Sequence, residues 1–562
     1  MDFLKLVLSD ELHTMPAPSA FGTWTNFWMV IVVAAVNGIL LCLAGYKFMQ
    51  VIQLSGYKAK GMFEWLKETK FAMWARLCML SFLSCAALLI TNVLLSDFFK
   101  YKIMCYIGLL FYLLFSIVFI INVFQVPQKT PLKYTHRMWR MMSVNFIIVF
   151  IATVLIVNFG SNNIPYFTYG TVGLTPALIP LFVLASHYIC YPFETLNNKR
   201  FVKKATKKLD QMPDLIKIGI TGSYGKTSVK NILLALLSEK YKVCASPYSY
   251  NTPLGLAKTI LNDLNEKDQI FIAEMGAKNV GDIKVLCDMV KPNIGLITGI
   301  GNQHMSSFGT RENLIKTKAE LAGSLAERDG KLFVNCDTEG ARYIFDNSVC
   351  EKYKTAYKNE DGEVLTIRDC KINEHGSSFV LCQGKNSVEC ETTLLGKHNI
   401  SNILLAATVA YSLGLTLEQI QVAIRKLVPT SHRLALIPSS NSLTVIDDAY
   451  NGSVEGAKAA IEVLSHFQGK KIVITPGLVE LGKEQFNSNF SLGKEMAKSI
   501  DYCIINGIVN YDALSSGLIF GGFDESHILR AGSLAQAVEL LSKISVPGDV
   551  VLFENDLPDN YA

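Results

Sequence analysis

Five long apolar runs lie within the first 195 residues, and nothing else in the chain restricts its architecture as severely. They cover residues 27–46, 74–95, 103–124, 141–159 and 172–191. Each has about the 20 residues that a helix needs to cross a hydrocarbon core. In lipid a lone segment satisfies its own backbone only as a helix, so the runs predict five transmembrane helices in a membrane domain over 1–195. Half of the 562 residues are hydrophobic and mean hydropathy is +0.28, which is too apolar for a chain wholly in water. Residues 1–14 lack the basic region and cleavage site of a signal peptide. They read as a short interfacial helix with Phe3, Leu4, Val7 and Leu8 toward lipid.

Basic residues set the expected orientation. Lys47, Lys58, Lys60, Lys67 and Lys70 follow the first run. Lys129, Lys133, Arg137 and Arg140 follow the third, and Lys199, Arg200, Lys203, Lys204, Lys207 and Lys208 the fifth. The second loop holds only Lys100 and Lys102 as cations, and the fourth, 160–171, none. This alternation predicts a multi-pass protein of the cell membrane, N-terminus outside, with everything after residue 195 in the cytoplasm. The runs contain almost no ionisable groups; Arg76 and His187 lie near cytoplasmic ends. A transporter coupled through an intramembrane carboxylate is disfavoured. Asn37, Asn92 and Asn122 read as helix–helix hydrogen bonds. The net charge of +5, with no basic tract interleaved with aromatics, points away from nucleic acid. The 13 cysteines are scattered, without zinc spacing, as reduced thiols are.

After a basic linker at 196–212 the pattern changes. Short β-rich runs at 215–221, 270–274, 294–298, 331–335, 443–447, 471–475 and 550–553 alternate with helical ones, predicting α/β architecture with a mainly parallel sheet. Residues 363–393 read as a small antiparallel sheet. K-L-V-P-T-S-H-R at 426–433 marks a boundary between domains 213–430 and 431–562.

The first of these strands runs into G-I-T-G-S-Y-G-K-T-S, residues 219–228, and then a helical stretch. A strand, a glycine-rich turn and a helix N-terminus aim backbone N–H groups at a phosphate. Gly222, Ser223, Gly225, Lys226, Thr227 and Ser228 are therefore candidate nucleotide contacts. Lys226 would reach the terminal phosphates of ATP and Thr227 would hold Mg²⁺. Ile220 stands where the common phosphate-loop pattern has glycine.

That variant spacing resembles the Mur ligase family, which builds the peptide of bacterial cell-wall precursors. Further matches follow in order: A-E-M-G-A at 273–277, G-N-Q-H-M-S-S-F-G at 301–309, I-K-T-K-A-E-L at 315–321, N-C-D at 335–337, L-G-K-H-N-I-S-N at 395–402, His432–Arg433, I-D-D-A-Y-N at 446–451 and V-E-L-G at 479–482. The set is most similar to the branch that adds D-alanyl-D-alanine to a UDP-muramoyl tripeptide. The resemblance implies a P-loop central domain, a Rossmann-like C-terminal domain, and amide synthesis through an acyl phosphate. It makes Glu274 and His304 metal ligands with Thr227, and Lys318 the lysine that several relatives carry as a carbamate. Lys316, two residues away, should point to another face. Asn335, Asp337, Asn399, Asn402, Asp448 and Tyr450 become nucleotide contacts, and Arg433 reaches the γ-phosphate from the last domain. The resemblance implies ATP and Mg²⁺, with a carboxylate-bearing cell-wall precursor and an amino acid or dipeptide as partners.

Three features depart from the family. Membrane helices occupy the place of the usual soluble UDP-binding domain. Gly452-Ser-Val replaces the familiar proline after I-D-D-A-Y-N. The chain end, V-V-L-F-E-N-D-L-P-D-N-Y, lacks the common Lys-Gly-Ser-Arg-type loop, and its Glu554, Asp556 and Asp559 read either as an ammonium site or as a solvated tail. The expected function is a ligase acting on a membrane- or lipid-linked acceptor. The alternatives are ordinary D-alanyl-D-alanine addition to a soluble precursor, a ligase for another polymer such as poly-γ-glutamate, and a non-catalytic ATP-binding sensor.

Overall fold

The computed structural model describes residues 23–68, 71–95, 110–121, 131–163, 172–301, 305–358, 363–437, 443–449, 452–479 and 481–555. The chain divides into two compact units, Met1–Asn197 and Asn198–Ala562.

The first unit is helical. Among the described residues, two helices, His136–Val157 and Thr175–Asp210, are long and apolar enough to cross a membrane, or three spans if a bent pair counts as one. Five were expected. The first run is not one straight helix: Thr23–Ala44 and Tyr46–Leu54 meet at Gly45, and the axis bends by 48° there. Beyond the bend Phe48, Met49 and Ile52 pack with Met62, Leu77, Met138 and Val183. The basic stretch after the first run is thus mostly helix, Tyr46–Leu54 and Ala59–Glu68, rather than loop. The second run forms Ala72–Leu95; of the third, only 110–121 is described. Residues 1–14 and Asn122 lie outside the described residues, as does the side chain of Asn92.

Asn37 does bridge helices. Its Nδ2 donates to Thr153 Oγ1 (2.8 Å) and Thr175 Oγ1 (3.2 Å), and its Oδ1 accepts from Tyr112 Oη (2.5 Å). A fully paired amide costs an apolar interior little. Glu194, unnoticed in the sequence, is buried and bound by Arg140 (2.6 Å).

The basic stretch read as a linker is helical as far as Asp210. Ile179–Asp210 is continuous, and Ala205 and Leu209, one turn apart, join a core with Leu256, Ile260 and Phe271. Lys208 donates to the carbonyls of Ile260 (2.7 Å) and Leu264 (2.6 Å). The two apolar positions among the lysines explain why it packs.

The described residues of the second unit form three sheets. The first comprises β1 (Ile216–Thr221), β2 (Val243–Ala245), β3 (Ile270–Glu274), β4 (Ile294–Ile297), β5 (Lys331–Asn335) and β6 (Glu351–Thr355). All its pairings are parallel, in the order β2-β3-β1-β4-β5-β6. Its inner strands β3 and β4 are buried along their whole length, as strands covered on both faces are, whereas the edge strand β6, E-K-Y-K-T, is largely polar and only partly buried. A small antiparallel sheet follows: β7 (Thr366–Asn373), β8 (Gly376–Gln383) and β9 (Asn386–Thr392). The third sheet contains β10 (Ala435–Ile437), β11 (Thr444–Asp448), β12 (Lys471–Thr475), β13 (Tyr502–Asn506), β14 (Ile528–Ala531) and β15 (Val550–Glu554), in the order β10-β11-β15-β12-β13-β14. Only its edge pair β10–β11 is antiparallel. The seven strands expected beyond residue 213 are all present within a residue or two. The expected boundary at 430/431 falls just ahead of the third sheet, within a single compact unit.

Candidate active site

β1 lies between β3 and β4, and the chain leaves β1 and β4 toward opposite edges of the sheet. The carboxyl ends of such strands open a crevice where ligands bind. The glycine-rich loop occupies it. Ser223 donates from its backbone N to Gly299 O (2.9 Å) and from Oγ to Gly301 O (3.0 Å), and Thr298 Oγ1 donates to Tyr224 O. Gly225 caps helix Lys226–Leu237 at φ 79°. Gly222 has φ 152°, and a Cβ there would land on Thr298 Oγ1. Gly222→Ala should therefore weaken ADP binding by about tenfold or more, measurable by titration calorimetry.

Lys226 opens the helix. Its Nζ donates to Gly222 O (2.7 Å) and Ser223 O (2.8 Å), curling over the loop that would cradle a phosphate. Burial pushes its ammonium down to about 8, against the pull of Glu274, and Arg433 lowers it further. Ser228 sits half-buried in the same first turn.

Glu274 ends β3 and is only 1% exposed, so it is no surface carboxylate. Its Oε2 accepts from Thr227 Oγ1 (3.0 Å) and Lys230 Nζ (3.2 Å), and its Oε1 from Asn251 Nδ2 (3.2 Å). Lys230 escaped the sequence reading. It is 1% exposed, and its Nζ also donates to Tyr248 O. The available signal was a lysine on the apolar face of V-K-N-I-L-L, one turn beyond Lys226. Mg²⁺ at nucleotide sites takes one or two carboxylates or hydroxyls and completes its shell with phosphate and water. The Thr227 hydroxyl beside the buried Glu274 carboxylate fits that requirement. His304 lies outside the described residues.

Helix Arg311–Ala326 exposes Lys316 and buries Lys318 to 3%, as the two faces required. Glu320 is not its partner: both Glu320 oxygens accept backbone N–H groups, from Gly281 and Lys284 (2.8 Å each). Burial, with nearby Lys226, drives the Lys318 ammonium well below its ordinary range, while Asp282 and Glu320 oppose the shift.

Asn402 sits beside the loop, with Oδ1 3.0 Å from where a Cβ on Gly225 would lie. Asn399 turns back to Leu395 O (2.9 Å) instead. Asn335 accepts from Asp337 N (3.0 Å), and Asp337 ties Tyr357 N (2.7 Å) to Ser401 Oγ (2.5 Å). Both are engaged within the chain. Burial lowers His398 to about 4, making it a neutral imidazole.

The third sheet reaches this crevice. Arg433, just before β10, is close enough to depress Lys226 and to hold down Asp448 and Glu554. Glu455, on the first turn of helix Val454–Ser465, covers Gly301 so closely that a Cβ there would meet its carboxylate. Asp448 ends β11 beside Glu554 of β15. Glu554 is buried, so it is not part of a solvated tail; Tyr450, Asp556 and Asp559 lie outside the described residues.

Comparison with known proteins accords with this geometry. The family models for the Mur ligase middle domain and for the Mur ligase glutamate ligase domain match residues 220–410 and 432–554. The UDP-N-acetylmuramoyl-tripeptide–D-alanyl-D-alanine ligase of Bacillus subtilis is 30% identical over 348 residues, covering 60% of this chain and 72% of that protein. Its counterpart in Escherichia coli is 29% identical over 291 residues, covering 50% and 62%. Among solved structures, MurF from Acinetobacter baumannii has a TM-score of 0.58 at 22% identity, over 65% of this chain and 78% of that one. MurF ligase from Thermotoga maritima, in complex with ADP, has a TM-score of 0.57 at 24% identity, over 64% and 80%. These structures share the fold of the second unit's sheets. With its phosphate loop, buried Glu274 and Lys318, and the matches over both ligase domains, the chain belongs to the Mur ligase family of ATP-dependent, ADP-forming ligases.

Proposed function

We propose that this chain is a membrane-bound peptide ligase that joins an amino acid or dipeptide to a lipid-linked cell-wall precursor. The observation that carries the reading is the coexistence of a complete Mur-type loop, with Lys226, Thr227 and Glu274, and an N-terminal unit of long apolar helices. In this reading the helices stand in for the soluble UDP-binding domain, the N-terminus faces outward and the ligase domains are cytoplasmic. The alternation of basic and charge-poor loops supports that orientation.

A carboxylate does not condense with an amine until its oxygen becomes a good leaving group. A carboxylate oxygen of the precursor attacks the γ-phosphorus of ATP, the bond to the β-phosphate oxygen breaks, and ADP leaves. The amine nitrogen then attacks the carbonyl carbon of the acyl phosphate, loses a proton, and inorganic phosphate departs. Charge stabilisation dominates such transfers. Lys226 and Arg433 balance the charge on the moving phosphoryl group from the two sides of the crevice. Thr227 and Glu274 would hold Mg²⁺, which neutralises phosphate charge when bound. A carbamate on Lys318 would turn a buried cation into an anionic ligand for a second metal ion.

The names of the relatives favour a second reading, D-alanyl-D-alanine addition to a soluble UDP-linked tripeptide. The detergent-solubilised protein, incubated with ATP and both acceptor types plus amino acids or D-alanyl-D-alanine, decides by mass spectrometry of the new amide. The lipid-linked acceptor is expected to react at least tenfold faster, by about 1.4 kcal/mol of extra transition-state binding. Equal rates on the soluble acceptor would sink the lipid-linked reading.

A further inference from the structure

Glu554 is an acid at the crevice for which the chemistry above has no use. It is 0% exposed, and no N–H or O–H donor reaches either of its oxygens among the described residues. A buried carboxylate without donors is costly to ionise. Parallel register sets it directly beside Asp448, at the carboxyl ends of β15 and β11. Asp448 Oδ1 already accepts from Leu434 N (3.2 Å). The other charged groups facing the pair are few. Asp447 is engaged by His432 Nδ1 (2.6 Å) and Ala449 N (3.1 Å), and Arg433 flanks both acids. Two facing carboxyl groups have one hydrogen bond open to them, O–H···O⁻, and it requires one proton between them.

We propose that Asp448 and Glu554 share a single proton and that Glu554, as its holder, positions the Asp448 carboxylate for the hydroxyls of the nucleotide's sugar. The proposal rests on the reading of Asp448 as a nucleotide contact. Burial and the neighbouring Asp448 hold Glu554 well above the ordinary carboxylate range. Burial raises Asp448 only to about 6, because Arg433 and the Leu434 N–H pull it back. Asp448 therefore ionises first, and Glu554 donates to it. This leaves Asp448 a pure acceptor with its orientation fixed from two sides. When pH rises far enough to remove the shared proton, the two carboxylates repel and the orientation is lost.

The test is ADP affinity, with Mg²⁺ present, of the full-length solubilised protein between about pH 6.5 and pH 9. Glu554→Gln keeps the shape and donates an amide N–H to Asp448 at every pH. Other titrating groups, Lys226 among them, act equally in both proteins, so the ratio of their dissociation constants isolates the shared proton. Wild type should lose affinity relative to Glu554→Gln by about tenfold across the window, the equivalent of one pKa unit. Glu554→Leu, with no donor, should bind more weakly than Glu554→Gln at every pH. Thermal melts should show Glu554→Gln folded, and more stable than wild type at the alkaline end, where it lacks the second charge. A constant ratio, with ADP binding intact, overturns the shared proton. Absence of ADP binding to wild type at every pH overturns the nucleotide reading instead, and the proposal with it.

Discussion

Lys226→Ala is expected to reduce amide formation by about 10³-fold or more while leaving the protein folded. Removing a single preorganised donor from a developing oxyanion already costs about 10²–10³-fold. Lys226 supplies a positive charge from a half-buried position over the loop. In the unliganded loop its partners are two carbonyls, Gly222 O and Ser223 O, not an acid. Its loss therefore strands no buried anion, and the melting temperature should move little. Mass spectrometry of the ligation product and a thermal melt on the same sample separate the two effects. A variant that ligates within tenfold of wild type would remove Lys226 from phosphoryl transfer.

The second large effect concerns Lys318. Lys318→Met should cost about 10²-fold or more in turnover yet raise thermal stability in CO₂-depleted buffer. The side chain is buried, and among the described residues no acid pairs with its ammonium. Burying an uncompensated charge opposes folding, and methionine fills similar volume without it. A gain on the order of 1 kcal/mol corresponds to about 2–4 °C. The pH dependence follows from the depressed folded-state value. Between that value and the ordinary lysine range the unfolded chain binds more protons, so wild-type stability rises with pH. The advantage of methionine should be largest at low pH and fade as the pH rises. A neutral amine at moderate pH is also the form that captures CO₂. Added bicarbonate should raise wild-type turnover, and a short carboxylic acid such as formate should partly restore the variant. A variant with wild-type turnover would show that Lys318 has no catalytic part.

Much of the ligase half was readable in one dimension. Apolar runs of five residues bounded by turns mark buried parallel strands, and the glycines at 219, 222 and 225 mark a loop that only a few backbone conformations satisfy. The family resemblance singled out Lys318, and the two-residue spacing set Lys316 on another face of the same helix. The apolar N-terminal unit was less legible. Apolar composition reports that a segment avoids water, not whether it runs straight, and nothing in residues 27–54 announced a 48° bend after Gly45. In the same way, the lysines of 196–208 hid the two apolar positions that carry the helix into a core.

The sequence alone determined the glycine spacing of the loop at 219–228, the parallel α/β architecture beyond residue 213 and the apolar character of the first unit. All three depend on residues close together in the chain, whose conformational preferences are local. The tertiary structure alone decided the partnerships. Lys230 meets Glu274 across 44 positions, Glu455 covers Gly301, Arg433 reaches Lys226, and Glu554 faces Asp448. Such pairs form when strands distant in sequence are set side by side, and whether a buried acid meets a cation, a metal ion or another acid is fixed only then.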